Sequence, residues 1–221
     1  MAKKKGLRSR AIGFLPCKAN PEAQRNFLED TLKPLINKAN TGMIELFFMD
    51  ASHFVMGGFA GRVWSVTRKY VKTASGRQRY NVLGALNFIS KKVGMVTNDS
   101  YITSTQVIEM LEKLARSFTN PIKIILDNAR YQHCKAVIER AAELGIELFF
   151  LPTYSPNLNL IERVWKIVKS KVLNSAYYET FNGFCDNIFE CIDTLHVKCA
   201  SQMASAITPN FQILDQSQIL G

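Results

Sequence analysis

The chain has 221 residues, 47% of them hydrophobic, which suits one domain with a sizeable core and an appendage. No stretch approaches the ~18 consecutive apolar residues of a membrane span, and the basic start MAKKKGLRSR leads into no apolar segment of the secretory type. Five cysteines (17, 134, 185, 191 and 199) show no CxxC pairing. Reduced thiols in a cytoplasmic protein are expected rather than a disulfide framework or a structural zinc site.

The formal net charge of +10 is unevenly spread. Residues 1–80 hold 15 Lys/Arg against 5 Asp/Glu, whereas residues 81–221 hold 13 of each. A basic excess confined to one part of a chain favours a polyanionic partner such as nucleic acid. Charge alone fits a solvated surface equally well.

Residues 1–19 are basic and poor in pattern, which reads as an arm. Asn20-Pro21 pairs a capping residue with a proline at the first helical position. Phe27, Leu28, Leu32, Leu35 and Ile36 then form a helical stripe, with a kink expected at Pro34 and an end at Thr41-Gly42. Residues 43–50, dense in apolar and aromatic side chains, suit a central strand closed by Asp50. Further strands are expected at 62–67, 81–87 and 93–97. A helix is expected over 103–117 with Val107, Met110, Leu111 and Leu114 inward, then a strand over 122–127 ending in Asp127. A helix over 131–144 stops at Gly145, a strand follows over 146–151, and a helix spans 157–173. Helical periodicity resumes over 180–206 through Phe181, Phe184, Ile188, Ile192 and Leu195. Strands come first and then alternate with helices, so the expected fold is α/β, a mixed sheet flanked by helices. The expected organisation is a basic arm and lead-in helix (1–42), a catalytic domain (43–175) and a C-terminal helical extension (176–221).

Three carboxylates stand out. Asp50 and Asp127 each close an apolar run, where an unpaired charge is costly and needs a salt bridge or a metal ion. On the 157–173 helix the core stripe is Leu158, Ile161, Trp165, Val168 and Val172, so Trp165 reads as packing. Glu162 lies off that stripe, on a face with Asn159, Lys166 and Lys169. A surface Glu162–Lys166 pair is the plain alternative to a functional role. Three acids on three separate elements can converge on Mg²⁺ or Mn²⁺, hard ions that take oxygen ligands. Two such ions ~3.5–4 Å apart hold both the attacking and the leaving oxygen of an in-line phosphoryl transfer. His53, His133 and His196 are too few and too dispersed to suggest a zinc cluster.

Residues 62–80 contain Arg62, Arg68, Lys69, Lys72, Arg77 and Arg79 with no acid, interleaved with Trp64, Tyr70 and Tyr80. Such a stretch can hold phosphates and stack bases, or it can be a solvated loop. His133, six residues after Asp127, could approach a scissile phosphate, orient a ligand, or make a local bond at a helix start. Asn128 could position a metal-bound water or fix the turn.

The segments IELFFMDASHF, ILDNARYQH and LPTYSPNLNLIERVWKIVK together resemble the catalytic domain of DDE transposases, and in particular the bacterial insertion-sequence branch of the mariner-like superfamily. The family's second acid sits in a DNA(R)xxH motif, matched by Asp127, Asn128, Ala129, Arg130 and His133. Its last acid sits in LPPYSPxLNPIERxW, 34 residues beyond, and this chain keeps that spacing between Asp127 and Glu162. The resemblance covers residues 43–173, with a lead-in helix at 21–40. It implies a ribonuclease-H-like fold, with Asp50, Asp127 and Glu162 as ligands of two Mg²⁺ (or Mn²⁺) ions. It implies nicking of double-stranded DNA at transposon ends, then attack of the freed 3′-OH on target DNA, typically at TA. A homodimer or higher assembly in the bacterial cytoplasm, associated with the nucleoid, goes with that activity. Asp50 is followed by Ala-Ser-His where much of the family has an acid, and Thr153 and Leu160 stand where proline is common. The helix-turn-helix that usually begins family members is missing, which suggests that it is encoded separately or that the copy is truncated. Two other readings stand beside this one: a non-catalytic DNA-binding remnant that regulates an intact transposase, and a structure-selective nuclease on the same fold.

Overall fold

The computed structural model describes residues 18–57, 65–68, 70, 78–174 and 176–213. The first helix begins as its cap residue dictates: the Asn20 side chain accepts the Ala23 N–H at 3.1 Å, with Pro21 next. Helix α1 (Pro21–Phe27) passes through a π-helical turn at Leu28–Leu32 into α2 (Lys33–Asn40). Pro34 lacks an N–H and its ring crowds the carbonyl four residues back, so a wider turn just before it absorbs the expected kink. Gly42, at φ +73°, ends the helix in the left-handed region.

Five strands form one sheet: β1 (Glu45–Val55), β2 (Arg79–Asn87), β3 (Val93–Asn98), β4 (Ile122–Leu126) and β5 (Glu147–Phe150), in the order β3-β2-β1-β4-β5. β1, β2 and β3 are antiparallel neighbours, whereas β4 and β5 run parallel to β1. The mixed sheet expected from the element order is therefore present. β1 does not stop at Asp50 but runs five residues further, because β2 keeps pairing with it to Val55↔Arg79 after β4 has left at Met49↔Leu126. Of the strand expected at 62–67, residues 65–67 are not in a strand and 62–64 lie outside the described residues.

The helices are α3 (Ser104–Ser117), α4 (Lys135–Glu143), α5 (Ile161–Val172), α6 (Phe181–Lys198) and α7 (Ala200–Ala206). Thr103 and Gln106 close a full capping box on α3. The helix expected from residue 131 starts four residues later, since the N–H groups of Gln132 and His133 both turn back to the Ala129 carbonyl. The helix expected from residue 157 is a 3₁₀ turn (Pro156–Leu158) followed by α5. The periodicity over 180–206 divides at Cys199, whose φ of −127° breaks the helix.

Alternation along β1 sorts its side chains. Leu46, Phe48 and Phe54 face a core shared with α2, α5 and α6, while Phe47 and Met49 face a second core with α3 and α4. Asp50 falls on the same parity as Phe48 and so faces α5. The sheet is thus covered by helices on both sides. Among the described residues no helix is long and apolar enough to cross a membrane.

Candidate active site

Asp50 and Asp127 meet through strand register. Met49 pairs with Leu126 on the parallel β1–β4 ladder; Asp50 is the next residue of β1, and Asp127 is the first residue after the end of β4. Adjacent strands lie ~4.8 Å apart, and residues at the same step point to the same face. Glu162 reaches that face from the first turn of α5. Asp50 is 8% exposed, and Asp127 and Glu162 are half-buried.

The electrostatics record this convergence. Burial, then the charges of Glu162 and Asp127, push the Asp50 carboxyl up to about 7. Burial raises Asp127. Burial and the charge of Asp127 raise Glu162, against the pull of Lys169 and Lys166. Each acid is harder to ionise than a free carboxyl because it is poorly solvated, and for Asp50 and Glu162 also because neighbouring groups are acids. Among the described residues, no group of three or more His, Cys, Asp or Glu side chains is placed closely enough to hold a metal ion as it stands. An all-carboxylate donor set with mutually opposed charges nonetheless fits a hard divalent ion, which would relieve that opposition.

The surrounding side chains hold the acids in place. The Trp165 Nε1–H donates to Asp50 Oδ2 at 3.1 Å. Asn159 Nδ2 donates to the Met49 carbonyl at 3.2 Å, which fixes the backbone one residue before Asp50. Asn159 was expected on the helical face that carries Glu162, Lys166 and Lys169. It instead precedes α5, is 1% exposed, and lies against β1. His133 is exposed and packs on the Phe150 ring at 4.3 Å in the turn before α4, so it is not a helix-start residue. Asn128 is exposed in the loop after β4.

Sequence reasoning missed Tyr131. Its hydroxyl is pushed up to about 12 by burial and by the charges of Asp50 and Asp127, so it lies at the site as a neutral phenol. The available signal was its place four residues after Asp127, which the apolar helical pattern obscured. Gly84 was also missed. It faces Asp50 across the β1–β2 ladder.

Of the expected DNA-contacting residues, Arg62, Lys69, Lys72 and Arg77 lie outside the described residues. Arg68 is exposed, its guanidinium 5.4 Å from the Tyr70 ring centre. Arg79 and Lys166 are exposed, and the Lys169 amine lies 5.8 Å from the Phe54 ring centre. Burial, then the charges of Lys169 and Arg79, hold the His53 pKa down, so these two cations lie near His53, beyond Asp50 on β1.

Comparison with known families decides what this arrangement belongs to. Residues 45–185 match the family described as DDE superfamily endonuclease. The chain belongs to that family. The DDE endonuclease match takes in β1 to β5 and α5, and so all three acids. Among solved structures, the Mos1 strand transfer complex is similar at a TM-score of 0.64 and 14% identity, over 96% of this chain and 69% of that one. The Mos1 mariner paired end complex with Mn gives 0.64 and 12%, over 93% and 66%. The corresponding complex with Mg gives 0.58 and 16%, over 93% and 68%. At such identities the likeness shows a shared fold: the mixed sheet flanked by helices is ribonuclease-H-like, as the sequence resemblance implied. No curated protein matches the chain.

Proposed function

We propose that this DDE endonuclease domain is the catalytic domain of an insertion-sequence transposase, which cuts DNA strands at transposon ends and joins the freed 3′-OH to target DNA. The observation that carries the reading is the convergence of Asp50, Asp127 and Glu162 from two strands and a helix, with Asp50 raised to about 7 by burial and by the other two. Three carboxylates that oppose one another in a buried place have a use when a cation lies among them. Asp50, Asp127 and Glu162 would hold two Mg²⁺ or Mn²⁺ ions. Bound there, such ions supply charge stabilisation to both the attacking and the leaving oxygen of an in-line displacement at phosphorus. The similarity to Mos1 complexes containing Mn and Mg supports this choice of ion.

The remaining residues act around that centre. Asn159 and Trp165 fix the strand and carboxylate of the first acid. Tyr131, kept neutral, offers a phenol donor at the edge of the acids. Arg79, Lys166 and Lys169 would take backbone phosphates on either side of the reacting one, together with Arg62, Arg68, Lys69, Lys72 and Arg77. Double-stranded DNA with a TA target and a homodimeric or larger assembly complete the reading. A site in the bacterial cytoplasm on the nucleoid goes with it.

The direct test is cleavage of labelled DNA carrying the element's ends, with Mg²⁺ or Mn²⁺, by the wild-type chain and by Asp127→Ala. Cutting that needs the ion and disappears in the variant supports the proposal. DNA binding without cutting, unchanged by the substitution, would sink it.

A further inference from the structure

We propose that Trp165 is a positioning residue for Asp50, and that Gly84 is a glycine so that the indole can reach it. The inference rests on the reading of Asp50 as an ion ligand. Helical periodicity alone makes Trp165 a core residue, and its 2% exposure agrees. Packing, however, does not explain where its one polar atom points. The indole N–H donates to Asp50 Oδ2 at 3.1 Å, across 115 residues of chain. The ring is held in that pose by the edge of Phe54, with centroids 6.3 Å apart and planes at 81°.

Gly84 supplies the second, independent observation. It sits in the interior of β2, directly opposite Asp50. Glycine in mid-strand carries a cost in chain entropy, and this one is not needed for a left-handed turn, since among the described residues the positive-φ glycines are Gly42 and Gly145. Space is the reason. A Cβ at position 84 would come within 2.6 Å of Trp165 Cη2 and 2.7 Å of Cζ2. The sheet is notched at a residue where a side chain would overlap the indole that reaches the carboxylate.

Trp165 lies one turn beyond Glu162 on α5. Its hydrogen bond therefore ties the helix that carries one acid to the strand that carries another, and it fixes one Asp50 oxygen. Outer partners of this kind orient a ligand before the ion arrives, and their loss typically costs about 10–100-fold in metal affinity or activity.

The experiment uses the full chain with Trp64→Phe as reference, leaving Trp165 as its single indole. Free Mn²⁺ is followed by electron paramagnetic resonance during titration with MnCl₂, with and without Trp165→Phe, which keeps an aromatic ring and deletes the N–H. The expected result is Mn²⁺ binding weakened roughly 10-fold by Trp165→Phe, with no added loss when Asp50→Asn is already present. Equal Mn²⁺ affinity in reference and Trp165→Phe overturns the proposal while leaving the ion reading intact. A reference chain that binds no Mn²⁺ removes the ion reading itself. Should Trp165→Phe fail to fold, the indole N–H resonance of the ¹⁵N-labelled reference answers instead. It should move both on addition of Mg²⁺ and in Asp50→Asn, and a resonance indifferent to both overturns the assignment.

Discussion

Asp50 and Asp127 each stand one residue past the Met49↔Leu126 pair of two parallel strands, Asp50 still in β1 and Asp127 just beyond the end of β4. Register therefore forces two acids together where the helix carrying Trp165 and Ile161 excludes water. In the absence of ions this arrangement disfavours charge.

The first prediction follows from that. Asp50 is raised from the usual carboxylate range to about 7, by burial first and by Glu162 and Asp127 next. The folded chain thus holds this proton more tightly than the unfolded chain. Its contribution to stability is fully present below pH ~4 and is lost as pH rises through about 7, up to about 4 kcal/mol. Urea unfolding of the ion-free protein should give a falling midpoint from pH 4 to pH 8. Asp50→Asn should flatten that fall, and Mg²⁺ should raise the wild-type midpoint more at pH 8 than at pH 5. A midpoint that rises with pH in ion-free wild type would contradict the burial of Asp50.

The two strands and the helix near the acids were legible because each depends on local pattern: apolar runs at 43–50 and 122–127, and a 3.6-residue stripe through the buried Leu158, Ile161, Trp165, Val168 and Val172. What was not legible depends on partners far away in sequence. β1 outruns Asp50 because β2 is there to pair with it. Asn159 is buried because the Met49 carbonyl needs a donor, and Tyr131 joins the site because the chain turns at Ala129 before α4 begins. Gly84 had no visible role until the indole that fills its place was located.

Gly84→Ala should destabilise the protein by about 1–3 kcal/mol, the usual cost of forcing atoms into a filled core. Gly94→Ala makes the control, since a Cβ there meets its nearest atoms at 3.8 Å, ordinary contact distance. That substitution should be neutral or mildly stabilising, by up to ~1 kcal/mol. Thermal melts of both variants, side by side, check the contrast. Equal melting temperatures would mean that the indole has room to move aside.

Arg163 closes the molecule from the other side of α5. Its Nη1 donates to the carbonyls of Ala206 (2.9 Å) and Thr208 (3.1 Å), its Nη2 donates to Asn210 (2.9 Å), and its guanidinium lies 5.7 Å from the Phe211 ring centre. A planar fork serves three carbonyls in a way that a lysine ammonium cannot. Arg163→Lys should cost about 1–3 kcal/mol. It should also make the segment after Ile207 the first site of limited proteolysis, with truncation read by mass spectrometry. A digestion pattern identical to wild type would show that other contacts hold the tail.

The neighbourhood of His53 that holds Arg79 and Lys169 gives the last prediction. Burial and then the charges of Lys169 and Arg79 depress the pKa of His53, which lies past Asp50 on β1. If that strip holds DNA phosphates, each contact releases about one counterion. Lys169→Ala should then weaken DNA binding about equally for all sequences and lower the slope of log K against log salt by about 1. Lys33→Ala serves as control, because Lys33 is paired with Glu29 four residues earlier on an exposed helical surface. Fluorescence anisotropy from 50 to 200 mM salt separates the outcomes: a shallower slope for Lys169→Ala alone places the backbone on the strip, whereas parallel slopes for both variants place it elsewhere.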